Sequence, residues 1–389
     1  MSKILTIISE YNPFHLGHLY HLQESINSVN PDYKVAIISG NFVQRGEPSI
    51  MNKWERAKVA LHAGFDLVIE LPCIYSISSA ENFANGAIKI ANQIGTTYLS
   101  FGSEIGNIEN LNKLSKLISQ NENEYYKKIR EKLSEGFSYP KSQELVINEM
   151  FSGEFENICS PNNILGLEYL KSIQKINPNI TAITIKRNSD FNSSSDIRTA
   201  LRKDKSIPTE LLPGFSTTTI QENINSGKLV YSLKNFEKEI LFSLRKMSIS
   251  DITNIPDIPE NLLNKFKTAS NKCNSLEELI SILKNKSITQ ARIQRILLYI
   301  LLGITKQDME LSKQVTPYVR ILGTSQKGKE LLSSIPNCIT SVKQFENSCT
   351  SSELLKLLEI DKLATDIYTL AYTKGSKSNL DYTMPLITL

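Results

Sequence analysis

His15, His18 and His21 fall within seven residues in the stretch SEYNPFHLGHLYHL (9–22), in a chain that has four histidines in all. Imidazoles at such spacing can donate hydrogen bonds to phosphate oxygens, move protons or ligate a metal. Gly17, between the first two, lets the backbone approach a ligand closely. A helix starting there offers unpaired N–H groups and the positive end of its dipole to an anion. His15 and His18, in the pattern H-x-G-H, would then flank a phosphate-sized site, where positioned donors in a partly dry cleft stabilise charge developing on a phosphoryl group. His21, one turn further, either faces the same site or packs. His18 and His21 also have the i, i+3 spacing of a metal pair, but beyond Glu10 no nearby Cys or carboxylate completes a coordination set, so no metal site is expected.

A second stretch, NSDFNSSSD (188–196), leads into SSSDIR (193–198). Ser193, Ser194 and Ser195 supply hydroxyls and N–H groups at a helix N-terminus, and Arg198 supplies a planar fork for phosphate oxygens. Such a serine run also serves as an ordinary cap.

The elements that must position these residues are legible as a rhythm. Short β-branched runs KILTII (3–8), YKVAIIS (33–39), DLVIEL (66–71), TTYLSF (96–101) and ITAITIK (180–186) alternate with helix-like segments. That alternation predicts an α/β domain of Rossmann-like type, with βα units around a parallel sheet. After Arg198 the rhythm stops, and helical patterns such as TQARIQRILLYILL dominate. A boundary at IPTELLPGFS divides the chain into residues 1–212 and a mainly helical 213–389. With 389 residues, 40% hydrophobic and 22% charged, the chain is long enough for two cores. Its five cysteines are scattered and never form a CxxC pair, which argues against a disulfide framework or a zinc ribbon. No secretory signal or bilayer-length apolar run is legible, so a cytoplasmic location and no membrane partner are expected. Residues 221–389 hold 22 Lys and Arg against 17 Asp and Glu, a basic excess compatible with a polyanion without requiring one.

The H-x-G-H segment and the SSSDIR loop resemble those of the nucleotidyltransferase superfamily, in which H-x-G-H binds the phosphates of ATP. IISEYNPFHLGHLYHL, SGNFVQRGEPSIMNKWERAKVAL, ELPCIYSISSAENFANGAI, SFGSE, SPNNILGLEYL, IKR and SSSDIR together are similar to the tRNA(Met) cytidine acetate ligase family, and ARIQRILLYILLGI and YVRILGTSQKGKELL extend the likeness towards the C-terminus. The resemblance implies a ligase that makes an acetyl-adenylate from ATP and acetate. It then transfers acetyl to N4 of the wobble cytidine of elongator tRNA(Met), with Mg²⁺ accompanying ATP and no protein partner implied.

It further implies His15 and His18 as catalytic residues, within an ATP-binding segment of Ile7, Ile8, Ser9, Glu10, Tyr11, Asn12, Pro13, Phe14, His15, Leu16, Gly17, His18, Leu19 and Tyr20. Gly102, Asn162 or Asn163, Arg187, Ser194, Ser195 and Arg198 join them. Ser39, Asn41, Gln44 and Arg45, in the loop after the second strand, would read acetate or the cytidine. Arg292, Arg295, Arg320, Lys327 and Lys329, near Tyr318, would contact the tRNA backbone. No residue is singled out as general base; Glu10, Ser39 or water could accept the amine proton. The alternatives are a small-molecule nucleotidyltransferase and a non-catalytic nucleotide-sensing RNA-binding module.

Overall fold

A computed structural model describes residues 2–151, 155, 158–188, 190–203, 206–336 and 338–389; Ser189 of the serine-rich loop lies outside them. Its first strands are β1 (Ile4–Ser9), β2 (Tyr33–Ser39), a small hairpin of β3 (Phe42–Val43) and β4 (Glu47–Pro48), and β5 (Leu67–Leu71). Then come β6 (Tyr98–Ser103), β7 (Thr181–Lys186), β8 (Val319–Thr324), β9 (Cys338–Ile339) and β10 (Ile387–Thr388). The main sheet runs β10-β8-β5-β2-β1-β6-β7, with β9 paired to β8. β5, β2, β1, β6 and β7 are mutually parallel, whereas β8 joins β5 antiparallel.

Both faces of the sheet are covered, so its strands are apolar on alternate and on successive positions. Ile4, Ile8, Val35, Ile37, Leu67 and Ile69 enter one core. Ile7, Ala36, Ile38 and Val68 point the other way, into a core with Phe14, Leu22 and Trp54. The chain builds outward from β1 to β2 and β5, then returns to β6 and β7 on β1's other side. The order therefore reverses between β1 and β6, and in such a sheet the crevice for a ligand opens there, at the carboxyl ends of the strands.

The last βα unit, β7 and the helix Ser194–Lys203, precedes residue 212, but the sheet and the first core cross that point. Residues 213–389 contribute β8, β9 and β10, and Ile296, Leu297, Tyr299 and Tyr368 share the core with β1. Buried polar ties reinforce the junction: Tyr299 Oη donates to Ile77 O at 2.9 Å, Tyr75 Oη to Ser312 O at 2.7 Å and Tyr368 Oη to Ser49 O at 2.8 Å. Apart from β8–β10 this part is helical, and among the described residues no helix is long and apolar enough to cross a membrane.

Candidate nucleotide site at the strand-order reversal

β1 ends at Ser9, and after a tight turn the helix α1 (Leu16–Val29) begins with His15 as its N-cap. Tyr11 occupies the left-handed backbone region, φ 45°, and turns its ring inward against Phe14 and the edge of His18, with centroids 4.8 and 5.0 Å away. These aromatic rings form the apolar wall behind the imidazoles.

The caps fix the histidine tautomers. Gly17 N–H donates to His15 Nδ1 at 3.0 Å, and His15 N–H donates to His18 Nδ1 at 3.2 Å. Burial depresses the pKa of His15 to about 4, with the nearby Arg187 charge adding to the effect. Burial also holds His18 well below its ordinary value, with His15, His21 and Arg187 acting in the same direction. A neutral imidazole whose Nδ1 accepts a hydrogen bond carries its proton on Nε2. His15 and His18, rings 3.8 Å apart, are thus a pair of Nε2–H donors, neither with an Nε2 partner among the described residues.

His21 packs beneath this pair. Its Nε2 is 2.9 Å from Ser100 Oγ, which lies 2.7 Å from Ser25 Oγ, whose own proton goes to His21 O. His21 is therefore a tie between α1 and β6, and burial and Arg187 lower its pKa to about 4. The unfolded chain protonates His15 and His21 near pH 6.5, while the folded chain resists until about pH 4. Over that interval the unfolded state binds more protons, so stability is lost as pH falls from 6.5 towards 4. Urea midpoints measured across this interval should drop, and His21→Gln, which keeps a donor for Ser100 but cannot titrate, should flatten the slope.

Gly17 is needed for a steric reason. A Cβ there would lie 2.8 Å from His15 Cε1 and 3.3 Å from Phe191 Cβ. Gly17→Ala must push the His15 ring aside while leaving a helix-compatible residue in place, so the fold should persist while nucleotide affinity falls about tenfold or more, read by calorimetric titration with ATP.

Gly102 is the penultimate residue of β6, paired with Ile185, and Arg187 follows β7, its N–H bonded to Ser103 O at 2.9 Å. A Cβ on Gly102 would meet Arg187 Cγ at 3.6 Å, an ordinary contact, so local packing does not demand glycine there. Arg187 is exposed, and its guanidinium makes no hydrogen bond or ion pair among the described residues. Beyond it, Phe191 packs tilted against Tyr20, ring centroids 5.6 Å apart, and brings the serine-rich loop over the start of α1. Ser193 caps the helix Ser194–Lys203, exchanging hydrogen bonds with Asp196. Ser194 and Ser195 stand in its first turn.

The expected residues do not all stand free. Arg198 is buried, donating from Nη1 to Asn12 O at 2.9 Å and pairing with Glu47 at 3.4 Å, while its Nε has no partner among the described residues. It clamps the turn after β1 rather than projecting into the crevice. Asn163 is fully buried, and its Oδ1 accepts from Glu104 N and Ile105 N, whereas Asn162 is half-buried at the helix start. Ser39 is buried, its hydroxyl without a partner among the described residues. Asn41 is an interior tie, accepting from Lys53 N at 2.9 Å and donating to Thr365 Oγ1 at 3.1 Å, so its amide is spent on packing. Gln44 and exposed Arg45 remain on the hairpin turn over Glu10, whose carboxylate accepts from Gln44 N at 3.0 Å.

Arg320 corrects an expectation: it is a core residue, 5% exposed, with its guanidinium 2.9 Å from Asp381 and 3.6 Å from Glu70. Lys327 and Lys329 are exposed, but they follow the antiparallel β8 and so lie at the amino-terminal end of the sheet. Lys327 covers the ring of Tyr33, which opens β2. They thus stand a strand length from the crevice, roughly 17 Å. Arg292 and Arg295 are half-buried around Asp257, and Arg295 reaches Gln44 O at 3.5 Å, which places it beside the hairpin at the site's rim.

Sequence reasoning missed Arg56. From the helix α2 (Lys53–His62) its buried guanidinium donates to Met51 O, Glu10 O, Ser39 O and Gly40 O, joining the loops that leave β1 and β2. Nothing in WERAKV distinguishes it from a surface arginine.

An open parallel sheet whose strand order reverses beside a helix N-terminus, with two oriented imidazole donors and an arginine across the crevice, defines a nucleotide-binding protein of the nucleotidyltransferase class. The family model described as HIGH Nucleotidyl Transferase matches residues 2–382. A Thermoanaerobacter protein named tRNA(Met) cytidine acetate ligase is 40% identical, with 99% of this chain and 100% of that one covered. A Caldanaerobacter subterraneus protein of the same name is 39% identical over both full lengths. The crystal structure of Thermotoga maritima TmcAL bound with α-thio ATP superposes with a TM-score of 0.93 at 32% identity, covering 100% of this chain and 99% of that one. The chain belongs to the tRNA(Met) cytidine acetate ligase family within the HIGH nucleotidyl transferases.

Proposed function

We propose that this chain is an ATP-dependent ligase that activates acetate as acetyl-adenylate and transfers the acetyl group to N4 of the wobble cytidine of elongator tRNA(Met). The observation that carries this reading is the pair of neutral, tautomer-fixed imidazoles at the strand-order reversal, in a chain that matches ligases of that name from end to end. The acetate carboxylate attacks the α-phosphorus of ATP, a P–O bond forms, and pyrophosphate leaves with the bridging oxygen. Nε2–H of His15 and His18 donates to the phosphate oxygens as their charge shifts, and Arg187 adds positive charge from β7's end. Mg²⁺ accompanying ATP would offset the phosphate charge; among the described residues no three His, Cys, Asp or Glu side chains come together to hold a metal of their own.

The cytidine N4 then attacks the acetyl carbon of the mixed anhydride, a C–N bond forms as the C–O bond to the phosphate breaks, AMP leaves, and the surplus amine proton passes to Glu10, Ser39 or water. Gln44 and Arg45 on the hairpin turn would meet the acceptor, and Arg295, whose Nη1 lies 3.5 Å from Gln44 O, would extend a basic rim for the tRNA backbone, with binding weakened by salt. The test is incubation with ATP, labelled acetate and elongator tRNA(Met), followed by nucleoside analysis, leaving out each component in turn. Label in N4-acetylcytidine only with all components present supports the proposal. Acetate-dependent pyrophosphate release without modified cytidine would keep the activation step and reject the acceptor, and folded protein doing neither would reject both.

A further inference from the structure

Glu104 stands two residues beyond Gly102, where the loop from β6 meets the start of the helix Pro161–Ile176. Its carboxylate accepts from Asn162 Nδ2 at 2.6 Å, Ser160 Oγ at 2.8 Å and Asn163 N at 3.1 Å. In return Asn163 Oδ1 accepts from Glu104 N at 2.9 Å and Ile105 N at 3.3 Å. The loop and the helix start are thereby locked together. Burial alone would raise the pKa of Glu104, but the bonds from Asn162 and Ser160 and the charge of Arg187 bring it below the ordinary carboxylate value, so it is ionised. An ionised carboxylate can only accept. The amide of Asn162 must therefore turn its NH₂ towards Glu104, which leaves Oδ1 facing away, without a partner among the described residues.

We infer that Glu104 is a positioning residue that holds Asn162 with its amide oxygen towards the nucleotide, so that the site selects a nucleoside offering a hydrogen-bond donor at that point. The inference rests on the ATP reading above. Adenosine has two kinds of such donor, the 6-amino group and the ribose hydroxyls. A nucleoside presenting an acceptor there, as a 6-oxopurine does with its carbonyl, would set two oxygens against each other. With the amide reversed, the preference would reverse too.

The experiment is titration calorimetry of the full-length protein with ATP, purine riboside triphosphate, 2′-deoxy-ATP and 3′-deoxy-ATP, using wild type, Glu104→Gln and Asn162→Ala, with circular dichroism to confirm folding. Wild type should bind one analogue about tenfold more weakly than ATP, the scale of one lost hydrogen bond, and that analogue identifies the donor. In both variants ATP and that analogue should bind alike, a change of ratio that mere loosening of the loop would not produce. Equal binding of all four nucleotides by wild type, or full discrimination retained in folded Glu104→Gln, would overturn the inference. Should Glu104→Gln fail to fold, Asn162→Ala decides: equal affinities sustain the inference and retained discrimination ends it. Wild type that binds no ATP would instead overturn the ATP reading.

Discussion

His18→Ala should lower acetate-dependent pyrophosphate release by about 10²–10³-fold in kcat, the usual effect of removing one preorganised donor from a developing oxyanion. The ring's Nε2–H has no partner among the described residues, while the helix below it is held by Leu22 and Ser25 in the interior. His15→Ala should have a comparable kinetic effect with an added structural one. His15 is also the cap of α1, accepting the Gly17 N–H, and a lost N-cap costs about 0.5–2 kcal/mol. His15→Asn separates the roles. Asparagine is a good N-cap, so it should restore much of the thermal stability, but its amide is too short to reach the position of Nε2, so turnover should stay low. Single-turnover pyrophosphate release with saturating ATP checks both. Near-normal turnover in folded His18→Ala would remove His18 from the chemistry.

The H-x-G-H turn was legible because its geometry is local: cap, glycine and the two imidazoles occupy four consecutive residues. The parallel strands were legible for a similar reason, each being a short β-branched run between helical segments. TTYLSF was read two residues early, since Thr96 and Thr97 belong to the approach to β6; Thr96 Oγ1 meets Thr6 Oγ1 at 2.7 Å. What stayed hidden depends on partners far away in the chain. Arg320 in YVRILGTSQKGK reads as a tRNA contact because Tyr318, Lys327 and Lys329 stand around it, and only Glu70 and Asp381 make that arginine a core residue. Asn41 looks like a reader of ligands until Thr365, from the helix Ser352–Thr369, takes its amide. Glu104 carries no signal in SFGSE, because its meaning lies in Ser160, Asn162 and Asn163.

The largest loss of stability is expected from Lys53→Met, by about 3–5 kcal/mol, the scale of breaking a buried ion pair from one side. Lys53 opens α2, is fully buried, and places Nζ 2.8 Å from both oxygens of Glu70 and 2.7 Å from Asp381. Arg320 bonds the same two carboxylates from β8. Without Lys53, two buried carboxylates share one guanidinium, and methionine fills the volume without supplying charge. The carboxylates, not the missing lysine, set the cost, so Lys53→Met/Glu70→Gln should be less destabilised than the sum of its single variants, measurable as coupling in urea unfolding. Burial alone would raise the pKa of Asp381, but Lys53 and Arg320 hold it below the ordinary value. A depressed carboxylate contributes stability above its unfolded pKa and loses it as pH falls through the folded one. Removing Lys53 lifts that folded pKa, and acid unfolding of Lys53→Met should begin at a higher pH than in wild type. The effect should also reach the crevice. Gly40 lies so close to Glu70 that a Cβ on it would be 2.7 Å from Oε1, and the backbone at Gly40 leads directly into the hairpin that carries Gln44 and Arg45. A Glu70 released from Lys53 moves against that loop, so folded Lys53→Met should transfer acetyl to tRNA more slowly while releasing pyrophosphate at close to the normal rate. Equal loss in both half-reactions would show instead that the charge cluster supports the fold as a whole and has no separate hold on the acceptor side.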